Sequence, residues 1–480
     1  MSFRLGLAGL AMSLVPLSAA LAQDAQTPPP ADTAALLQRL DEAEQRLRVL
    51  ERKLELQQEA TTAAAASAPT VKASPTRFSL NSADGENSVR LRGVLHIDGR
   101  HFEGDGSPAT SNTWLLRRVR PMVEGTFANI YDFRFTPDFG GGKTVIQDAY
   151  VTARFRPWGA VTAGKFKVPV GLERIQSVND TRFVERAFPT SLVPNRDIGV
   201  QVAGALAGGV FNYNVSYTNG VLDGGSSESN ATPDTENDTR GDVSGRVFLL
   251  PFLNSDNFGL RGLGFGVGAT YVDSTGSAAN PLLPTYKTPG QATFFSYRGN
   301  TAATGTTPAI NNGTFASGQR LRYSPQFYYY YSSFGILGEY SVVSQDVTRT
   351  NGAVTRSDTL DIKSWQLEFN WLLTGEDETF SAVTPGSNYE RGKGRGAWEL
   401  VARVQQLSFD DDAFVGGANS YANPASSARK ASAAAIGVNW YLNPNVKWSV
   451  DYELTRFDVG AASGDRPDEK AFLTRIGLVF

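Results

Sequence analysis

The strongest constraint in this chain is a hydrophobic period of two. It begins near Ser88 and recurs to the last residue, Phe480. Val89, Leu91, Leu95 and Ile97 alternate with Arg90, Arg92, His96 and Asp98. Tyr131, Phe133 and Phe135 alternate with Asp132, Arg134 and Thr136. Trp448, Val450, Tyr452 and Leu454 alternate with Lys447, Ser449, Asp451 and Glu453. A strand with this spacing has one apolar and one polar face. Sixteen such segments can be marked, starting near residues 88, 114, 131, 143, 160, 197, 210, 240, 259, 319, 334, 356, 396, 429, 446 and 469. Short connectors such as Asn129-Ile130 and Asn443-Pro444-Asn445 alternate with long ones at 171–196, 220–239 and 274–318. Short turns at one end and long loops at the other suit a barrel that crosses a bilayer.

A secreted sandwich or propeller also alternates, but it buries its apolar face and uses shorter connections. Here Trp158, Trp365, Trp371, Trp398, Trp440, Tyr441, Trp448 and the run Tyr328 to Tyr331 are placed to form aromatic girdles. The final strand, from Phe472 to Phe480, ends on an aromatic carboxy-terminal residue, similar to the terminal signature of bacterial outer-membrane barrels. The expected fold is all-β: a 16-stranded antiparallel transmembrane β-barrel with a short N-terminal coiled-coil helix.

The segments before the barrel differ in texture. Residues 1–22 read as a cleaved signal peptide: Arg4, an apolar run from Leu5 to Leu17, and Ala20-Leu21-Ala22 before the cut. Residues 23–35 are a flexible linker. Over 36–59, Leu40, Leu47 and Leu54 interleave with Leu36, Ala43 and Leu50 at the alternating spacing of a coiled-coil seam. Residues 60–76 read as an Ala/Pro-rich tether, and 77–480 as the barrel. Export through the signal, taken with the barrel, makes a bacterial outer membrane and contact with its lipid the expected location.

Composition removes several chemistries. With no Cys and two His there is no thiol nucleophile, no Cys-based metal site and little material for a Ser-His-Asp triad. No enzyme activity, cofactor or metal is expected. The net charge of −3 argues against a nucleic-acid partner. That average hides a local excess, since segment 88–170 holds twelve Lys and Arg against seven Asp and Glu. Arg90, Arg92, Arg118, Arg120, Arg134 and Arg154 fall on polar faces. Lys165 and Lys167 share one face, with Phe166, Val168 and Val170 on the other. A basic wall concentrates anions, and a guanidinium fork suits oxyanions. The bland alternative is cross-strand pairing with Asp98, Glu124, Asp132 and Asp148.

Connector 171–196 is neutral by count once the adjoining Asp197 is included, yet Phe183, Val184, Phe188 and Leu192 are odd for a solvated loop and suggest one folded against the barrel. Connector 220–239, with Asp223, Glu228, Asp234, Glu236 and Asp238, reads as an acidic, solvated outer loop. Gly140-Gly141-Gly142-Lys143-Thr144 lacks the first Gly of a P-loop and precedes a strand. Gly262, Gly264, Gly266 and Gly268 fit close strand packing or a bend. Asp410-Asp411-Asp412 reads as an acidic loop, and Arg391-Gly392-Lys393-Gly394-Arg395 as a basic, flexible one.

An ordered set of segments resembles the phosphate-selective porin family of Gram-negative bacteria. The set includes Leu116-Arg117-Arg118-Val119-Arg120, Gln147-Asp148-Ala149-Tyr150, the run Gly164 to Glu173, Glu185-Arg186-Ala187, Gly245-Arg246-Val247, Ala397-Trp398-Glu399-Leu400 and the run Asn439 to Asn445. The resemblance covers residue 88 to the end. It implies a trimer with an inward-folded third outer loop, arginines along the bore and lysines at the constriction. Arg117 and Arg118 match the family's paired strand-two arginines, and Arg182 falls where a loop lysine stands in the phosphate channels. The pore-lining, anion-binding candidates are Arg92, Arg117, Arg118, Arg120, Arg134, Lys165, Lys167, Arg174, Arg182 and Arg186. The function expected is a passive, anion-preferring channel for phosphate or related oxyanions, acting as a homotrimer, with the coiled coil available for trimerisation or periplasmic contacts. A general or sugar-selective porin is the alternative, and an outer-membrane enzyme or adhesin lacks a nucleophile–base set.

Overall fold

The computed structural model describes residues 30–74, 77–104, 111–227, 240–277, 279–301, 311–391 and 393–480. The signal peptide expected over 1–22 lies outside these residues. The chain forms two units, 1–68 and 69–480. In the first, one helix spans Pro30–Ser67. It is longer than the heptad pattern at 36–59, because the Ala-rich stretch read as a tether continues the helix, as alanine's propensity allows. Leu36, Leu40, Leu47, Leu50 and Leu54 are all exposed on it.

The second unit is a closed barrel. Its sixteen strands are β1 Ser88–Glu103, β2 Thr113–Phe127, β3 Tyr131–Asp138, β4 Val145–Arg156, β5 Gly159–Lys167, β6 Arg196–Leu206, β7 Phe211–Thr218 and β8 Asp242–Leu249, followed by eight more. These are β9 Leu263–Thr275, β10 Thr314–Tyr331, β11 Phe334–Asn351, β12 Val354–Leu372, β13 Ala397–Phe409, β14 Lys430–Asn443, β15 Val446–Asp458 and β16 Glu469–Val479. Each pairs antiparallel with the next, and β16 returns to β1 with Ile476 opposite Ile97. Closure gives each of the sixteen strands a partner on both sides, which a lipid-embedded sheet requires. All sixteen marked segments are strands, and each start lies within five residues of its expected place. Alternation sets the faces: along β12, Trp365, Phe369 and Trp371 are exposed while Ser364, Gln366, Glu368 and Asn370 are buried.

Three features depart from the sequence reading. Two short strands, Thr70–Ser74 in the expected tether and Arg77–Asn81 at the expected start of the barrel, pair with each other and then onto β1, with Phe78 opposite Leu91. Tyr441 and Tyr330 leave the girdle and turn inward; the Tyr441 hydroxyl donates to Glu399 at 2.7 Å. Asp223 is no solvated loop residue but a buried partner of Arg322 at 2.7 Å. The other acidic residues of that loop, Glu228, Asp234, Glu236 and Asp238, lie outside the described residues.

The barrel lumen is filled unevenly. A hairpin within connector 276–313, made of Thr285–Lys287 and Thr293–Ser296, brings Tyr286, Phe294 and Phe295 into an apolar cluster with Val343, Ile362, Leu407, Phe409 and Phe457 of the wall. Phe188 and Leu192 of connector 168–195 join the same cluster. Connector 373–396, at the short-turn end, also enters, packing Phe380 on Tyr328 with ring centroids 5.1 Å apart. These insertions occupy the side of the lumen bounded by β10–β15. The Phe295 ring stacks on Phe409 at 3.6 Å with planes 6° apart. Phe295→Ala is expected to cost about 3–5 kcal/mol and to raise single-channel conductance as the hairpin loosens. Thermal unfolding and planar-bilayer recording on one preparation measure both, and an unchanged unfolding midpoint contradicts the packing described.

Candidate functional site: a cation-lined cavity beside the inward connector

Connector 168–195 crosses the lumen because the wall opposite offers its backbone partners. Glu339 of β11 accepts from the N–H groups of Leu172 and Glu173 at 2.9 and 3.3 Å. The Phe188 N–H donates to Gln405 at 2.7 Å, and the Val184 N–H donates to Asp451 at 2.5 Å. Asn439 donates to the Arg182 carbonyl at 2.8 Å, and Arg403 to the Glu185 carbonyl at 3.1 Å. A buried backbone without such partners would be costly, and bonds to charged groups are worth about 1.5–3 kcal/mol each. Gly268 of β9 lets the connector approach, since a Cβ there would sit 2.3 Å from the Val170 oxygen.

The connector's other face borders a cavity of about 660 Å³. The opposite side is the wall formed by β1–β6 and β16, extended by Tyr441 of β14 and Val446, Lys447 and Ser449 of β15. Seven cationic side chains line the space: Arg92, Arg120, Arg134, Lys167, Arg196, Lys447 and Arg475. Two carboxylates, Asp148 and Asp180, line it with them. Near the short-turn end, Glu124 alone serves Arg90, Arg92 and Arg134 at 3.2, 3.5 and 2.7 Å. Arg120 pairs with Asp138 at 2.7 Å, Arg196 with Asp148 at 2.8 Å and Arg475 with Asp98 at 2.7 Å. Lys167 donates to the carbonyls of Ile175 and Gln176 at 3.2 and 2.8 Å, and Lys447 to that of Thr181 at 2.8 Å. The two lysines thus grip the connector from either side.

Of the ten candidates read from sequence, Arg92, Arg120, Arg134 and Lys167 line this cavity. The other six do not. Arg117 pairs with Glu185 at 2.7 Å. Arg118 is buried with its Nη1 3.2 Å from His96 Nδ1. Lys165 is buried. Arg174 donates to the Thr190 carbonyl, and Arg186 to the Glu173 and Gln176 carbonyls at 3.1 and 2.9 Å. Arg182 is enclosed by Glu378 and by Glu399 at 2.9 Å, so this loop cation is neutralised rather than offered to the bore. The face pattern of β5 also shifts: Phe166 lines the cavity beside Lys167 instead of facing away. Gly164, at φ 125°, breaks the alternation just before it.

Sequence reading missed Arg196, Lys447 and Arg475. The last two stand on polar faces of β15 and β16, so the alternation itself carried the signal. What hid them was counting charge along the chain, whereas closure sets β16 against β1.

Residues 89–480 match the model of the family described as phosphate-selective porin O and P. The chain belongs to that family. With the closed barrel, membership makes it an outer-membrane porin channel. Porin O of Pseudomonas aeruginosa is 24% identical over 421 residues, covering 83% of this chain and 89% of that protein. Among solved structures, the outer-membrane channel DcaP of Acinetobacter baumannii superposes with a TM-score of 0.49 at 10% identity, over 82% of this chain and 97% of that one. A loop-deletion mutant of OmpT from Vibrio cholerae gives 0.48 at 10% identity, over 82% and 100%.

Two connector carboxyls have shifted titration with opposite signs. Burial alone would raise Glu185, but Arg117 and Arg475 outweigh it and hold the carboxyl well below the usual range. Burial pushes the Glu378 carboxyl up, and repulsion from Glu399 adds to this against the pull of Arg182. A raised carboxyl binds its proton in the folded state after the unfolded chain has lost it, so its contribution to stability falls as pH rises. The porin is therefore expected to unfold at lower temperature at pH 9 than at pH 6. Glu378→Gln is expected to shrink that difference, and an identical pH dependence in the variant contradicts the assignment.

Proposed function

We propose that this porin is a passive, anion-preferring channel for phosphate or related oxyanions, working as a homotrimer. The observation that carries the reading is the lining of the cavity, where seven cationic groups face two carboxylates. Shared carboxylates leave the wall with a positive excess, as at Glu124, where three guanidiniums meet one acid. Such a wall raises the local anion concentration without a gate or a bound cofactor. Guanidinium donors replace part of an oxyanion's hydration, weakly enough for the ion to leave. The aromatic residues that would form a sugar slide instead stand largely on the exposed face, as Trp158, Trp365, Trp371 and Trp448 do.

The direct test is the zero-current potential in a potassium chloride gradient across a planar bilayer. Its sign is expected to report chloride as the more permeant ion, and added phosphate is expected to block part of the chloride current. Arg92→Ala with Arg134→Ala is expected to lower the anion-over-cation permeability ratio severalfold. Cation preference in the unaltered porin overturns the reading.

The exposed leucines of the helix give the trimer a second seam in this proposal. The full chain is expected to keep its trimer band to a higher temperature on gels than a chain lacking 36–59. Coincident melting of the two bands removes the helix from the assembly.

A further inference from the structure

His96 is buried on β1 beside the cavity with both ring nitrogens engaged. Its Nδ1 lies 3.2 Å from Arg118 Nη1, and its Nε2 lies 3.0 Å from Asn179 Oδ1 on the inward connector. A guanidinium can only donate, so Nδ1 accepts; Nε2 then carries the proton and donates to the Asn179 oxygen. The three groups form a directed chain that holds the imidazole neutral.

Arg118 is unlike its neighbours. Arg117, Arg120 and Arg475 each bond a carboxylate, at 2.7 Å in every case. Among the described residues Arg118, only 6% exposed, has no carboxylate within salt-bridge distance, and its one hydrogen bond is to neutral His96. Its remaining nitrogens are not among the buried polar atoms sealed from water. Arg117, Arg475 and Arg120 all act on it as like charges, with Glu185 as counter-charge. A buried cation set among cations and left without an acid partner is costly unless an anion completes it. Arg118 stands behind His96, which lines the cavity although Arg118 itself does not, and the nitrogens that His96 leaves unbonded keep some exposure, so this guanidinium is a place for a mobile oxyanion at the cavity's edge.

We propose that His96, fixed by Asn179, is a positioning residue that presents Arg118 to the permeating oxyanion, so that the anion supplies the partner the wall omits. The inference rests on the anion-channel reading and names the point in the bore where the oxyanion is held. His96 acts by accepting one N–H of Arg118 without spending charge on it, which leaves the others free for the anion. A carboxylate in its place would neutralise the group, as Asp138 does for Arg120.

The test is block of chloride current by inorganic phosphate in single porin trimers, comparing the unaltered chain with His96→Gln, His96→Lys and Arg118→Gln. His96→Gln keeps a neutral acceptor and is expected to leave the half-blocking phosphate concentration within about twofold. His96→Lys cannot accept from Arg118 although it adds a positive charge. It is expected to raise that concentration about tenfold, a loss of about 1.4 kcal/mol. Arg118→Gln is expected to do the same, with no further effect when combined with His96→Lys. Stronger block in His96→Lys means that only the summed charge matters and overturns the proposal. Equal loss in His96→Gln and His96→Lys overturns it too, since rescue by a neutral acceptor is its signature. Heat-resistant trimer bands on gels confirm that each variant has folded. Should the unaltered porin prefer cations, the anion-channel reading fails by itself, whatever these variants do.

Discussion

The inward connector 168–195 depends on side chains that reach for its backbone. Its amide and carbonyl groups lie deep in the barrel, where each needs a partner. Glu339, Gln405, Asp451, Asn439 and Arg403 supply them from β11, β13, β14 and β15. Glu173 of the connector accepts both from within it, the Ala187 N–H at 2.9 Å, and from the wall, Gln366 of β12 at 3.1 Å. One half of the barrel is thereby committed to holding a loop. The other half is left to water and ions.

That division explains why charge is distributed as it is. The loop-holding half gathers buried carboxylates, because acids accept from the amides of a folded-in segment. The open half gathers arginines, with fewer acids than are needed to neutralise them. Arg182 shows the rule from the opposite direction. It lies in the connector, yet Glu378 and Glu399 enclose it, so it fastens loop to wall instead of facing solute. Position in sequence gave it the same standing as Arg120; its partners give it a different role.

The strands were legible because a bilayer imposes a two-residue period with little room for exceptions. Faces were legible for the same reason at Arg92, Arg120 and Arg134. The pattern failed where the backbone leaves strand geometry, as at Gly164, after which Phe166 turns to the cavity. It also failed at Tyr441, whose ring looked like a girdle aromatic until its hydroxyl found buried Glu399. Tertiary pairing was the larger gap. Nothing local to Arg117 says that Glu185, on a distant connector, takes its charge, and nothing local to Arg475 says that closure brings it beside β1. The short strands at 70–81 escaped because five residues are too few to show a period.

The central claim is that the conducting path is one-sided: anions run along β1–β6, β16 and the ends of β14 and β15 that carry Tyr441 and Lys447, while the lumen bordered by β10–β13 and the rest of β14 and β15 is packed with inserted chain. Anomalous diffraction from crystals of the porin soaked in bromide tests this most directly. The account predicts bromide peaks between connector 168–195 and the wall that carries Arg92, Arg120, Arg134 and Arg475. Peaks among Glu173, Glu339, Glu368 and Glu453 instead, or a bromide path through the Phe294–Phe295–Phe409 cluster, would contradict it.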